Sequence, residues 1–259
     1  MYRSQVTQLR QWVRGVPGLR AYRPATEPLD LDSLISPLRY DIMVRADFFD
    51  YLSERLEDYE ADFDRFAADA TATTYYAWFA KVALARYRPR QARDPARVMV
   101  EFRERLHRSV RLLTSFTAGG FDLRHPISVR TAVPGALTGT GKLVPRKYYA
   151  GDGCHRLALL VRVGETSLAP SHYRVRRDPE TMVVDNTQLL IRELGLTPEQ
   201  YFRFLSRGYA DRPYTDARAL LNHVEERAPD RLGELRAVIA ADEGAFVRPS
   251  QGSAATRAD

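Results

Sequence analysis

A six-residue stretch, Gly151-Asp152-Gly153-Cys154-His155-Arg156, leaves little choice of local structure. Before it runs Leu143 to Ala150, strand-like and carrying Tyr148 and Tyr149. After it come Leu157, Ala158, Leu159, Leu160, Val161 and Val163, which read as a helix closing at Gly164. A glycine turn between a strand and a helix leaves the first N–H groups of the helix without intrahelical partners, with the positive end of the helix dipole behind them. Backbone arranged in that way binds phosphate. The same six positions also bring a thiol, an imidazole, a guanidinium and a carboxylate. The stretch predicts a nucleotide-phosphate site.

The rest of the chain divides at Gly119-Gly120. On the N-terminal side, an amphipathic patch (Leu9, Trp12, Val13, Val16), the Pro17-Gly18 turn, Pro24 and Pro28 read as an arm, residues 1–34, packed on the main body. Ile35 to Arg45, partly alternating and bounded by proline, predicts a strand. A helix capped by Asp47 is expected next, with Phe48, Leu52, Leu56, Tyr59, Phe63 and Phe66 at near-helical spacing. Tyr75, Tyr76, Trp78, Phe79, Val82 and Leu84 predict a second helix ending before Pro89. Asp94-Pro95, a cap followed by a first-turn proline, opens a third that carries Val98, Phe102, Leu106, Val110 and Leu113. Aromatic residues at that period belong to a core rather than to a ligand box.

Beyond the two glycines the pattern turns to strands. His125 to Arg130 reads as a strand, Pro134 to Gly141 as a turn, Leu143 to Ala150 as the returning strand and His172 to Arg176 as another. The remainder is expected to be helical: Thr187 to Leu194 ending at Gly195, a capping-box start at Thr197-Pro198-Glu199-Gln200, and helices over 216–227 and 230–242. From Pro249 onward the tail is expected to be disordered. The predicted fold class is α+β. A core over 35–178 holds a helical insertion at about 47–118, followed by a C-terminal helical region over 179–248 and a tail over 249–259.

Over 259 residues, 44% hydrophobic and 28% charged side chains suit a folded protein with one large core or two small ones. No apolar run approaches the roughly 20 residues of a membrane span. Arg3, Arg10, Arg14 and Arg20 interrupt any hydrophobic leader, so no membrane partner and a cytoplasmic location are expected. The single cysteine excludes an internal disulfide and points to a reducing compartment. The net charge of +6 is carried almost wholly by arginine, since lysine is confined to Lys81, Lys142 and Lys147. Those arginines are interspersed with Asp and Glu along the predicted helices, the pattern of an ion-paired surface more than of a nucleic-acid stripe. The five histidines show no zinc-ligand spacing. Gly135 to Lys142 imitates a phosphate loop, but Leu143 stands where Ser or Thr would bind Mg2+, and the flanking strands make it a hairpin tip.

In order, a strand opened by Pro126-Ile127, a hairpin, a second strand, the Gly-Asp-Gly-Cys-His-Arg turn, a helix, Gly164 and a further strand resemble the ParB/sulfiredoxin superfamily over residues 121–177. Its members share an Asp-Gly-x-His-Arg or Gly-Gly-Cys-His-Arg turn in that setting. The helix over 95–118 and the Ile35 to Arg45 segment match elements that precede this unit in the family, whereas 47–88 and everything after 178 have no counterpart. The resemblance implies nucleotide phosphates held by the turn that Gly151 opens, on the backbone N–H groups of Gly153, Cys154 and His155. It implies phosphate oxygens on the side chains of His155 and Arg156, and Asp152 positioning metal or substrate.

Three activities follow from the resemblance. One is phosphorylation of a small hydroxyl-bearing metabolite, as in the ParB-like free-serine kinases. Another is a nucleotide-switched, DNA-binding regulator. The third is ATP-dependent reduction of cysteine sulfinic acid, with Cys154 in the position of the nucleophile. The kinase is the expectation adopted, with Mg2+ and ATP or another nucleoside di- or triphosphate as cofactors. Phosphoryl transfer also calls for a carboxylate beside the attacking hydroxyl. The resemblance places it near Ile35 to Arg45, with Asp41 first and Asp47 second, and Asp152 and His155 as further catalytic candidates. For DNA, Gln188 to Leu205 has helix-turn-helix spacing, but its second helix displays Tyr201, Phe202 and Phe204, with only Arg203 and Arg207 to reach phosphate or base.

Overall fold

In the computed structural model, which describes residues 21–246 apart from Ser36 and Arg146, the predicted arm contributes sheet: β1 (Tyr22–Pro24), β2 (Leu29–Asp30) and a short helix, α1 (Leu31–Ile35). The patch from Leu9 to Val16 and the tail from Pro249 lie outside the described residues.

Helix α2 (Tyr40–Glu54) occupies most of the segment whose alternation predicts a strand. Asp41, Ile42, Val44, Arg45, Ala46, Phe48, Phe49 and Leu52 are all buried. A helix covered nearly all round leaves no amphipathic period to read. Asp47 consequently lies inside α2 instead of capping a helix. The single helix expected over Phe48 to Phe66 is three pieces, α2, α3 (Leu56–Ala61) and α4 (Phe63–Asp69). Asp62 opens the last, its carboxylate accepting the Arg65 N–H at 3.0 Å. Helix α5 (Thr74–Trp78) continues through a π-helical turn (Phe79–Leu84) into α6 (Ala85–Tyr87). Helix α7 (Pro95–Gly119) starts at Asp94 and buries Val98, Phe102, Leu106, Val110 and Leu113, as its period predicts.

Strand β3 (Ile127–Thr138) runs eight residues past the predicted end at Arg130, and β4 (Tyr148–Asp152) returns antiparallel to it. The turn predicted over 134–141 shrinks to a tip at Thr138–Lys142, where the Thr138 N–H donates to the Lys142 carbonyl at 2.8 Å. Pro134 has no N–H to give and Gly135 sits at φ 78°, and the pairing of β3 slips between Ala132 and Leu137. An irregularity inside the strand absorbs the two residues that signal a turn.

Helix α8 (Cys154–Arg162) follows the turn, and β5 (Ser167–Leu168) pairs with β2. Strand β6 (Tyr173–Arg176) lies parallel to the first part of β3, while β7 (Glu180–Val183) lies parallel to the later part. With β1 antiparallel to β6, the sheet order is β1-β6-β3-β4, β7 joining on β3. Strand β7 falls in a region expected to be helical. Its four residues, of which only Val183 is buried, carry too little pattern to reveal it.

The chain ends in α9 (Asn186–Leu194), α10 (Pro198–Ser206), α11 (Ala217–Arg227) and α12 (Leu232–Phe246). Both bonds of the predicted capping box form, Thr197 N–H to Gln200 at 3.0 Å and Gln200 N–H to Thr197 at 3.2 Å. These helices build their own apolar cluster around Ile191, Tyr201, Leu205, Leu220, Val224, Leu235 and Ile239. The larger cluster joins α2, α5, α7, α8 and β3. The two regions are tied by a buried charge. Lys142 Nζ, from the β3–β4 tip, lies 2.7 Å from Asp185 Oδ2 and 2.8 Å from each carboxylate oxygen of Asp242 on α12. The fold is α+β, with helices around a small mixed sheet. No helix among the described residues is long and apolar enough to cross a membrane.

Candidate functional site

Strand β4 delivers Gly151 and Asp152 to the start of α8, and Gly153 opens the helix at φ 88°, ψ 20°. That left-handed conformation favours glycine. Packing demands it as well: a Cβ on Gly153 would lie 3.0 Å from Arg156 Nη2 and 3.1 Å from Ile127 Cγ1. At Gly151 it would lie 2.9 Å from the Ser128 carbonyl oxygen. Gly153→Ala is therefore expected to lower stability by about 1–3 kcal/mol, read from the urea midpoint. Gly164→Ala, at φ 80° but with nothing within 4 Å of its Cβ, isolates the backbone contribution and is expected to lose less.

The Gly153 N–H donates to the Asp152 carboxylate at 2.7 Å, so it is already used. The first helical bond is from Leu157 N–H to the Gly153 carbonyl. The N–H groups of Cys154, His155 and Arg156 precede that ladder and carry the positive end of the helix dipole.

Around this turn the Arg39-x-Asp41-x-x-x-Arg45 segment forms a buried ionic knot. Arg39 Nε donates to Asp41 Oδ1 at 2.8 Å, and Arg45 Nη1 donates to both the Asp41 carboxylate and its main-chain carbonyl. Arg39 also bonds the Ala150 carbonyl on β4, and its Nη2 donates to Cys154 Sγ at 2.8 Å. The loop before α2 is thereby stitched to both ends of the turn. Burial alone would raise the Asp41 pKa, but Arg39 and Arg45 outweigh it and hold the carboxyl well below the usual carboxylate range. Asp41 is a fixed anion, not a poised base.

His155 points away from the role predicted for its side chain. Its Nε2 is hydrogen-bonded to the Tyr75 hydroxyl at 2.9 Å, and its ring packs edge-on against Phe49. Burial, reinforced by Arg45 and Arg105, holds its pKa well below the ordinary value, so the imidazole is neutral at pH 7. At the turn itself, His155 is left with a backbone N–H that precedes the helical ladder.

All six turn residues line one cavity of about 650 Å³, together with Arg39, Asp41 and Arg45. Asp47 does not line it. Among the described residues, eight arginines border the cavity against five carboxylates: Asp41, Glu101, Glu104, Asp152 and Glu180. Three positive charges are left over. Three donors on the wall, Arg45 Nε, Trp78 Nε1 and Arg156 Nη1, are buried without a hydrogen-bond partner. Arg45 is 7% exposed and its guanidinium stacks over the Trp78 ring at 4.2 Å. A buried donor left unmatched costs about 1–3 kcal/mol, and three of them belong to residues that line this one cavity. Among the described residues no three or more His, Cys, Asp or Glu side chains gather to hold a metal. Asp152 is exposed at the turn, its carboxylate accepting the Gly153 N–H.

The sequence pattern assigns Tyr75 and Trp78 to the core and gives Arg45 and Arg105 no part in the site, whereas Trp78, Arg45 and Arg105 all line the cavity. One signal is present for Arg45: Arg39, Asp41 and Arg45 interrupt the apolar Leu38, Ile42, Met43 and Val44, and charges buried among such neighbours have to be paired. No protein-family profile, curated protein or solved structure gives a match to this chain.

Proposed function

We propose that this cavity binds the phosphates of a nucleoside di- or triphosphate and that the protein is a nucleotide-dependent phosphotransferase acting on a small hydroxyl-bearing acceptor. One observation carries the proposal. Arg45, Trp78 and Arg156, each with a buried and unmatched donor, line with the first residues of α8 a cavity with positive charge in excess. Phosphoryl transfer asks a protein mainly for positioning and positive charge around the transferring group. Here the amides of Cys154, His155 and Arg156 would seat one phosphate, and Arg45 and Arg156 would neutralise its oxygens. Asp152 would hold Mg2+, which supplies further charge neutralisation when bound. With Asp41 fixed between two guanidiniums, Asp152 is also the carboxylate left near the turn to receive the acceptor's hydroxyl proton.

Thermal shift with ATP, ADP, CTP and GTP plus Mg2+ tests this. A nucleotide at about 100 times its Kd is expected to stabilise the wild type by about 2.7 kcal/mol, and Arg156→Ala is expected to lose that gain. No shift with any nucleotide would sink the proposal.

The Arg39–Cys154 contact supports a second reading, a sulfinic acid reductase using the thiol. Cys154→Ser separates the two: a reductase loses its activity, whereas a phosphotransferase retains it. Nothing comparable favours DNA recognition by α10. Its Tyr201 and Phe204 are buried, Arg203 pairs with Glu199 at 2.7 Å, and Arg207 pairs with Asp32 at 2.7 Å.

A further inference from the structure

We infer that the cavity has a second subsite, in which Tyr87, set between Arg86 and Arg88, stacks on the base of the bound nucleotide. This rests on the nucleotide proposal above and adds where the far end of that ligand lies.

The cavity follows one stripe of α7, through Glu101, Arg105, Ser109 and Leu112. These residues are three to four positions apart and so share a face. Ser109 marks the phosphate end: it lies beside Tyr75, whose hydroxyl meets His155 of the turn. Glu101 marks the other end, where it is ion-paired with Arg88. Eight residues separate the two, about 12 Å along the helix axis at 1.5 Å per residue. A single phosphate is far too short to use that length, whereas an extended nucleoside polyphosphate matches it.

At the distal end the wall changes character. Tyr87 lines the cavity yet is 77% exposed, so its ring does nothing for the core. The Arg86 guanidinium lies 5.8 Å from the centre of that ring. Arg88 is anchored by Glu101, and its N–H closes the helix on the Leu84 carbonyl at 2.7 Å, which fixes the mouth. The π-helical turn Phe79–Leu84 leads directly into this segment, and such turns recur at functional sites. An open aromatic face flanked by guanidiniums is the chemistry that stacks on nucleobases, and it tolerates any base because each presents a π-face.

Isothermal titration calorimetry with Mg2+ compares ATP, CTP, GTP and inorganic tripolyphosphate on wild type, Tyr87→Ala and Tyr87→Phe. Stacking on one base predicts that Tyr87→Ala weakens the nucleoside triphosphates by about tenfold or more while leaving tripolyphosphate unchanged. Tyr87→Phe is expected to keep wild-type affinity. Because the side chain is exposed, the ligand-free melting temperature of both variants should equal that of the wild type. If wild type binds nucleotides and tripolyphosphate equally and Tyr87→Ala alters neither, the base subsite is wrong while the phosphate site stands. If wild type binds neither class of ligand, both fall.

Discussion

Lys142→Met is expected to lower the unfolding free energy by about 3–5 kcal/mol, the usual result of removing one partner from a buried ionic cluster. Lys142 is the sole cation among Asp185, Asp242 and the Tyr201 hydroxyl, which donates to Asp242 at 2.7 Å, and all four side chains are buried. Taking the ammonium away leaves two carboxylates facing each other in the interior. The loss should depend on pH. Burial, with the nearby Asp185, already raises the Asp242 pKa even though Lys142 opposes it, and removing Lys142 raises it further. A carboxyl whose folded pKa exceeds its unfolded value of about 3.9 favours the folded state below that value and loses this contribution as pH rises through the folded pKa. The deficit of Lys142→Met is therefore expected to be smaller at pH 5 than at pH 8. Urea unfolding at the two pH values checks this, and a loss under about 1 kcal/mol at pH 8 would mean that the cluster is not the tie described here.

Asp41→Asn should cost a similar amount, about 3–5 kcal/mol, because Arg39 and Arg45 both stay buried with no anion between them. This loss has the opposite pH signature and a rescue. In the wild type the Asp41 pKa is depressed, so its contribution is complete above the unfolded pKa of about 3.9 and fades as pH falls below it. Replacing the carboxyl by an amide removes that dependence, and the stability curve between pH 5 and pH 3 should flatten. The cavity would also hold a fourth uncompensated positive charge. Tripolyphosphate is accordingly expected to stabilise Asp41→Asn more than it stabilises the wild type, measured as the difference in melting temperature with and without the anion.

What the sequence disclosed was local, and what it concealed was long-range. Asp94-Pro95, the capping box at Thr197, the end at Gly195 and the strand–turn–helix around Gly153 all read correctly, since each is specified within a few residues. Helix α2 is hidden because it is buried nearly all round, and β3 looks shorter than it is because Pro134 and Gly135 occupy an irregularity within the strand. The turn itself is legible, but the other walls of the cavity it lines come from residues about 40, 80, 105 and 130, whose convergence no local pattern encodes. For the same reason the partner of His155 was out of reach: Tyr75 lies 80 positions earlier in the chain.

The glycines of the turn carry one last implication. A Cβ at Gly153 would crowd Arg156 and Ile127, and one at Gly151 would crowd Arg130 and the Ser128 carbonyl, so the protein's own atoms leave the loop little room to change shape. Such preorganisation removes the entropy of loop ordering from the association step. If the cavity takes the phosphates proposed for it, their capture would be governed by diffusion and charge, and its rate should fall steeply as salt is added.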